Sequence, residues 1–120
     1  REGIRLLRES LNEARNAGYR RLEALAWSNL GAAYYRQNDK RRSRGCFLES
    51  DALAIHNGEK HTDILFYNAF YEWKMALDTE NPTREKIAFG RLKALRSSLE
   101  RKSIEVEQFD EYVEGGRAHA

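Results

Sequence analysis

Trp27-Ser28-Asn29-Leu30-Gly31-Ala32-Ala33-Tyr34 is the stretch whose reading decides the fold. Its large residues, Trp27, Leu30 and Tyr34, are spaced by three, four and seven, which lines them along one face of an α-helix. Gly31 lies beside that stripe and carries no side chain, so a second helix backbone can approach closely there. Outward from this stretch the composition agrees. One Pro and eight Gly among many Ala, Leu, Glu and Arg favour helix over sheet across the 120 residues.

The stretch fits the W-x2-L-G-x2-Y pattern of the first helix in a tetratricopeptide repeat, and the second helix follows in register. The pattern asks there for a small residue and then an aromatic four positions on, which are Ser43 and Phe47, with small Ser50 beyond. Ser43 replaces the usual Ala, and Ile55 stands where the pattern has Pro. The segment of about 23–57 thus resembles a tetratricopeptide repeat. Self-similarity extends it: Leu7-Arg8-Glu9-Ser10 echoes Phe47-Leu48-Glu49-Ser50 forty positions later. Trp27, Asn29 and Tyr34 echo Phe66, Asn68 and Trp73 at a spacing of thirty-nine. The expected fold is all-α, with antiparallel helix pairs stacked as a short tetratricopeptide-like α-solenoid.

Six helices are predicted, at about 2–17, 20–37, 40–56, 62–78, 82–100 and 103–113. Gly18 ends the first, Asn38-Asp39 turns between the second and third, and Asn57-Gly58 ends the third. Asn81 caps the fifth with Pro82 at its first position, where no amide donor is needed. The first helix carries Ile4, Leu7, Leu11 and Ala14 on one side. The fifth is expected to bury Ile87, Ala88, Leu92, Leu95 and Leu99, and the last carries Val106, Phe109 and Val113 on one stripe. Residues 1–114 read as one repeat domain, expected to be a piece of a longer protein, and 115–120 as a flexible tail.

The resemblance implies that first helices line a concave groove. Its candidate residues are Asn29, Ala32, Tyr35 and Arg36 on the second helix, with Asn68 and Tyr71 on the fourth. A carboxamide donates and accepts, so Asn29 and Asn68 can bracket an extended peptide backbone. Aromatic and Arg side chains suit binding hot spots, and Ala32 leaves room for a ligand. Arg36, Lys40, Arg41, Arg42 and Arg44 crowd one turn, opposed by Asp39. The far end is acidic, with Glu100, Glu105, Glu107, Asp110, Glu111 and Glu114 set against Arg101 and Lys102.

No reading as an enzyme survives. His56 and His61 lack the i, i+4 spacing of a helical zinc pair, and Cys46 has no activating constellation. No cofactor, metal or membrane partner is implied, and a single cysteine suits a reducing, cytoplasmic setting. A net charge of +2 does not argue for nucleic acid, which would be met only through a domain absent from this chain. The resemblance is similar to the C-terminal sensor regions of helix-turn-helix transcriptional regulators and to the repeat regions of signal-transducing ATPases. It implies a peptide- or protein-binding module, with a structural homo-oligomerisation unit, such as a homodimer, as the alternative.

Overall fold

The computed structural model describes residues 2–100 and 102–119, so Arg101 of the acidic end and Ala120 of the tail lie outside the described residues. Among the described residues six helices form: α1 (Glu2–Ala17), α2 (Arg20–Arg36), α3 (Lys40–Ala54), α4 (Thr62–Asp78), α5 (Pro82–Arg96) and α6 (Ile104–His119). Between α3 and α4 the chain makes a two-stranded antiparallel ribbon, β1 (Ile55–His56) and β2 (Glu59–Lys60). The molecule is therefore mostly helical, as expected, with this short ribbon as an addition. Asn57 and Gly58 have φ of 51° and 82°, both positive, as the tight two-residue hairpin turn requires. That turn pairs Ile55 with Lys60 and ends α3 two residues before the expected His56.

The other boundaries follow local chemistry. Gly18 takes a φ of 73° after α1. The Asp39 side chain accepts from the Arg42 amide, and the Asn81 side chain accepts from the Arg84 amide. Asn38 and Glu80, one residue before each cap, both have positive φ. The Ser103 hydroxyl accepts from the Val106 amide and opens α6. That helix continues through Gly115 and Gly116 to His119, where composition reads as a tail. Nothing in the local sequence accounts for its continuing there.

These signals expose the true period. Arg20–Arg36 recurs as Thr62–Asp78, and Lys40–Ala54 as Pro82–Arg96, an offset of 42 residues at all four ends. The expected spacings of thirty-nine and forty are corrected accordingly. Helix α4 packs against both α2 and α3, α5 pairs with α4, and α6 lies on α4. Among the described residues the buried apolar side chains gather in several clusters rather than around one centre. One joins α1, α2 and α3 through Ile4, Leu11, Leu30, Tyr34 and Cys46. Another joins α4, α5 and α6 through Phe66, Trp73, Leu92 and Phe109. Ile87, expected in the core, is 59% exposed.

The tightest helix contact is between α2 and α3. The Ser43 hydroxyl donates to the Gly31 carbonyl at 2.7 Å, and the Ser50 hydroxyl donates to the Ala24 carbonyl at 2.8 Å. The fully buried Phe47 ring lies over Gly31: a Cβ placed there would meet its Cε1 and Cζ at 2.9 Å. Tyr71 stacks on that ring at 5.6 Å, so it has no room to turn aside.

Gly31→Ala therefore sets about 1 kcal/mol of helix propensity against about 1–3 kcal/mol of overpacking, and the variant is expected to lose stability. Gly90→Ala, in α5 with nothing within 4 Å of the added carbon, is expected to gain about 0.5–1 kcal/mol. Urea unfolding of the two variants checks the opposite signs.

Candidate functional site

One face of α2 carries Leu25, Asn29 and Arg36, spaced by four and seven. Under the 42-residue offset Leu25 corresponds to Tyr67 and Asn29 to Tyr71, so the equivalent face of α4 carries those two tyrosines. The two faces are adjacent because α4 packs on α2. A cleft of about 350 Å³ opens between them and the start of α6. Its apolar walls include Leu25, Ile64, Phe66 and Val106. Its polar groups include Asn29, Asp63, Tyr67 and Lys102.

The rim is electrostatically set. Arg21 grips Asp63 with both arms, at 2.6 and 3.2 Å, and its Nη1 lies 3.0 Å from His61 Nδ1. The hydrogen bond from Arg21 holds the Asp63 carboxyl below its usual range. Lys102 brings a positive charge to the same cleft. Further along the face, Tyr67 and Tyr71 pack at 5.0 Å, and Tyr71 meets Tyr35 edge-on at 5.5 Å. Burial raises the pKa of both Tyr67 and Tyr71, and the Glu105 carboxylate of α6 raises them further. Arg36 acts in the opposite direction on both hydroxyls. The phenols thus stay protonated at neutral pH and can donate or accept hydrogen bonds.

The expected groove residues divide. Asn29 is exposed and lines the cleft, and Arg36 is exposed on the same helix face. Tyr35 and Tyr71 form a half-buried wall, with the Tyr35 hydroxyl donating to Asp78 at 2.7 Å. Burial, then that hydrogen bond, pushes Tyr35 up to about 12. Ala32 is corrected: it is fully buried against Phe47 and Met75 and leaves no room for a ligand.

Asn68 is corrected as well, because its side chain is fully buried. Its Nδ2 donates to Ser50 Oγ and to Asp51 Oδ1, both at 2.9 Å. Ser28 Oγ lies 2.6 Å from Asn68 Oδ1 and 2.7 Å from Ser50 Oγ, so its one proton is shared between them. This node ties α2, α3 and α4 together. The echo of thirty-nine that paired Asn29 with Asn68 is three residues short. Tyr67 and Asp63 went unrecognised for that reason, and Leu25 and Lys102 because their meeting depends on how α2 and the start of α6 are placed around α4. The distance between the Asp39 and Asn81 caps was the signal that could have found the first two.

The basic turn also disperses. Arg42 pairs with Asp39 at 2.9 Å and lies 5.9 Å from the Tyr34 ring centroid, toward α1. Arg44 faces α5, while Arg36 acts on the α4 tyrosines. At the acidic end Arg96 binds Asp110 with both arms, at 2.8 and 2.9 Å. Among the described residues no helix is long and apolar enough to cross a membrane. No group of three or more His, Cys, Asp or Glu residues among them is placed to hold a metal ion. The Cys46 thiol is buried, and desolvation pushes it up to about 11, away from the reactive thiolate. No family model, curated protein or solved structure matches the chain.

Asn68→Ala is expected to cost about 2–4 kcal/mol, since it removes the buried hydrogen bonds that Asn68 makes with Ser28, Ser50 and Asp51, whereas Asn29→Ala stays within about 0.5 kcal/mol. Calorimetric melting separates the two. Asp51 carries a related pH signature. Burial, outweighing its bonds to Asn68 and Arg91, raises its pKa. A folded pKa above the unfolded one means that the native state holds the proton more tightly. The ionised carboxylate therefore costs stability at neutral pH, and the cost fades as pH falls through the folded pKa. Asp51→Asn, which keeps the oxygen that Asn68 donates to, should melt above the parent at pH 7, with the gap closing on acidification.

Proposed function

We propose that the chain is a non-catalytic, tetratricopeptide-like module that binds a peptide or protein segment across the face of α2, α4 and α6. The observation that carries this reading is the cleft, with an apolar wall flanked by an exposed carboxamide, a fixed carboxylate and a lysine. Such a mixture of apolar surface and a few placed polar groups is what a ligand site requires. The stacked-repeat reading is supported by the recurrence of the second and third helices after 42 residues.

In this reading Asn29 brackets the backbone of an extended segment, while Tyr67 and Leu25 take its apolar side chains. Arg36 and Lys102 favour acidic positions at its ends. The module serves in the cytoplasm as the sensing or partner-binding part of a bacterial transcriptional regulator or signalling protein. Its output depends on the ligand preferring one curvature or assembly state over another.

A second reading, a homo-oligomerisation unit, is favoured by one observation. A cleft of about 540 Å³ between α1 and α2 includes Tyr19 and Leu22, which are 61% and 52% exposed. Phe109, in contrast, is buried in the core and is no part of such an interface.

Display selection with a library of extended peptides separates the readings. Selected peptides should bind the parent and lose about tenfold affinity to Asn29→Ala, with a larger loss to Leu25→Arg. Binding indifferent to both substitutions would remove the cleft reading. A concentration-dependent dimer abolished by Leu22→Glu, with no peptides selected, would establish the second.

A further inference from the structure

We infer that the face carried by α1, α3 and α5 is a second binding surface, for an acidic peptide segment that interleaves carboxylates with apolar side chains. This goes beyond the cleft reading, which uses α2, α4 and α6.

Two neighbouring grooves share α3. The groove between α1 and α3, about 530 Å³, is lined by Arg8, Arg15 and Arg42 above Trp27 and Tyr34, with Glu49 as its one carboxylate. The groove between α3 and α5, about 150 Å³, is lined by Arg44, Arg84 and Arg91, with Glu72 as its one carboxylate. Arg42 and Arg84 are the third residues of α3 and α5 and stand 42 apart, so the motif repeats with the fold.

The charges are held in place and incompletely answered. The guanidinium carbons of Arg8 and Arg42 each lie 5.9 Å from the Tyr34 ring centroid, and that of Arg15 lies 5.7 Å from Trp27. Rings beneath a guanidinium limit its freedom, so less is lost when it binds. Arg15, Arg42 and Arg91 have carboxylate partners in Glu23, Asp39 and Asp51. Among the described residues Arg8, Arg44 and Arg84 have none within 4.0 Å. Trp27 and Arg44, which line the two grooves, each hold a buried N–H with no hydrogen-bond partner, at Nε1 and Nε.

The occupant follows from what lies between the arginines. Leu48 and Ile87 flank the second groove, 61% and 59% exposed. A nucleic-acid backbone carries a charge about every 1.7 Å along a duplex and would run across these apolar side chains and the Glu49 and Glu72 carboxylates. A peptide can set a carboxylate against each guanidinium and an apolar side chain against Leu48, Ile87 or Trp27. Charge complementarity with intervening apolar contacts selects the peptide.

Fluorescence anisotropy with a short fluorescein-labelled peptide alternating glutamate and leucine tests this on the full chain. The peptide should bind, weaken with salt, and lose at least about tenfold affinity to Arg8→Glu/Arg84→Glu. Both arginines are exposed, and circular dichroism confirms that the variant keeps its helices. Leu48→Ser/Ile87→Ser, which leaves the charge unchanged, should also weaken binding several-fold. The inference is overturned if the peptide does not bind, or if its glutamine counterpart or an oligothymidylate of matched charge binds as tightly. It is equally overturned if Lys60→Glu/Lys86→Glu costs as much as the arginine pair, since net charge alone would then act. A loss as large in Asn29→Ala would move the peptide to the cleft and overturn it too.

Discussion

The contact between α2 and α3 is the constraint on which the rest of this molecule depends. Two serine hydroxyls reach across it to carbonyls of the facing helix, and a phenylalanine ring lies where a glycine leaves no side chain. Each contact needs the backbones close, and each would be lost by a small slide or rotation. Close-packed interiors resist such motion because displaced atoms find neither space nor replacement contacts. The hairpin is therefore fixed in both register and rotation. That fixed pair presents Ser28 and Ser50 together, which is what Asn68 of the next helix docks onto.

A buried polar node is an unusual way to join three helices, and its chemistry explains its form. A buried amide must have its donors and acceptor met, or it costs more than an apolar side chain. Here both Nδ2 donors and the Oδ1 acceptor of Asn68 are engaged. The node sits in an otherwise apolar interior, so a slip of α4 along α2 would break several bonds at once. This gives α4 a defined height, and with it Tyr67 and Tyr71 their place beside Asn29 and Arg36. The surface cleft thus inherits its geometry from the interior.

Particular residues show how far the chain could be read without its fold. The small and large positions of the first hairpin were legible because they are local: Gly31, Ser43, Phe47 and Ser50 behave as the spacing predicts. Asn29 was legible as a surface residue of α2 for the same reason. Asn68 was not, since two asparagines look alike in one dimension while one faces solvent and the other three helices. The matching aromatic pairs at thirty-nine masked the larger offset that the caps define. Ala32 illustrates the same limit, because a small side chain reads equally as vacant space or as a filled contact. The ribbon at residues 55–60 was hidden by an Asn-Gly pair that serves as a helix end or as a hairpin turn.

What the sequence determined alone was what depends on neighbours a few positions apart: helical periodicity, the Asp39 and Asn81 caps, Pro82 at a helix start, and the glycine contact of the first hairpin. These rest on backbone sterics and on hydrogen bonds within one or two turns. What only the tertiary structure decided was the facing of each side chain across helices. That set the burial of Asn68, the gathering of Leu25, Asn29, Asp63, Tyr67 and Lys102 around one cleft, and the division of the arginines between opposite faces. The reason is physical: a helix's rotation about its own axis is set by the summed packing of its partners, and no local stretch of chain contains that sum.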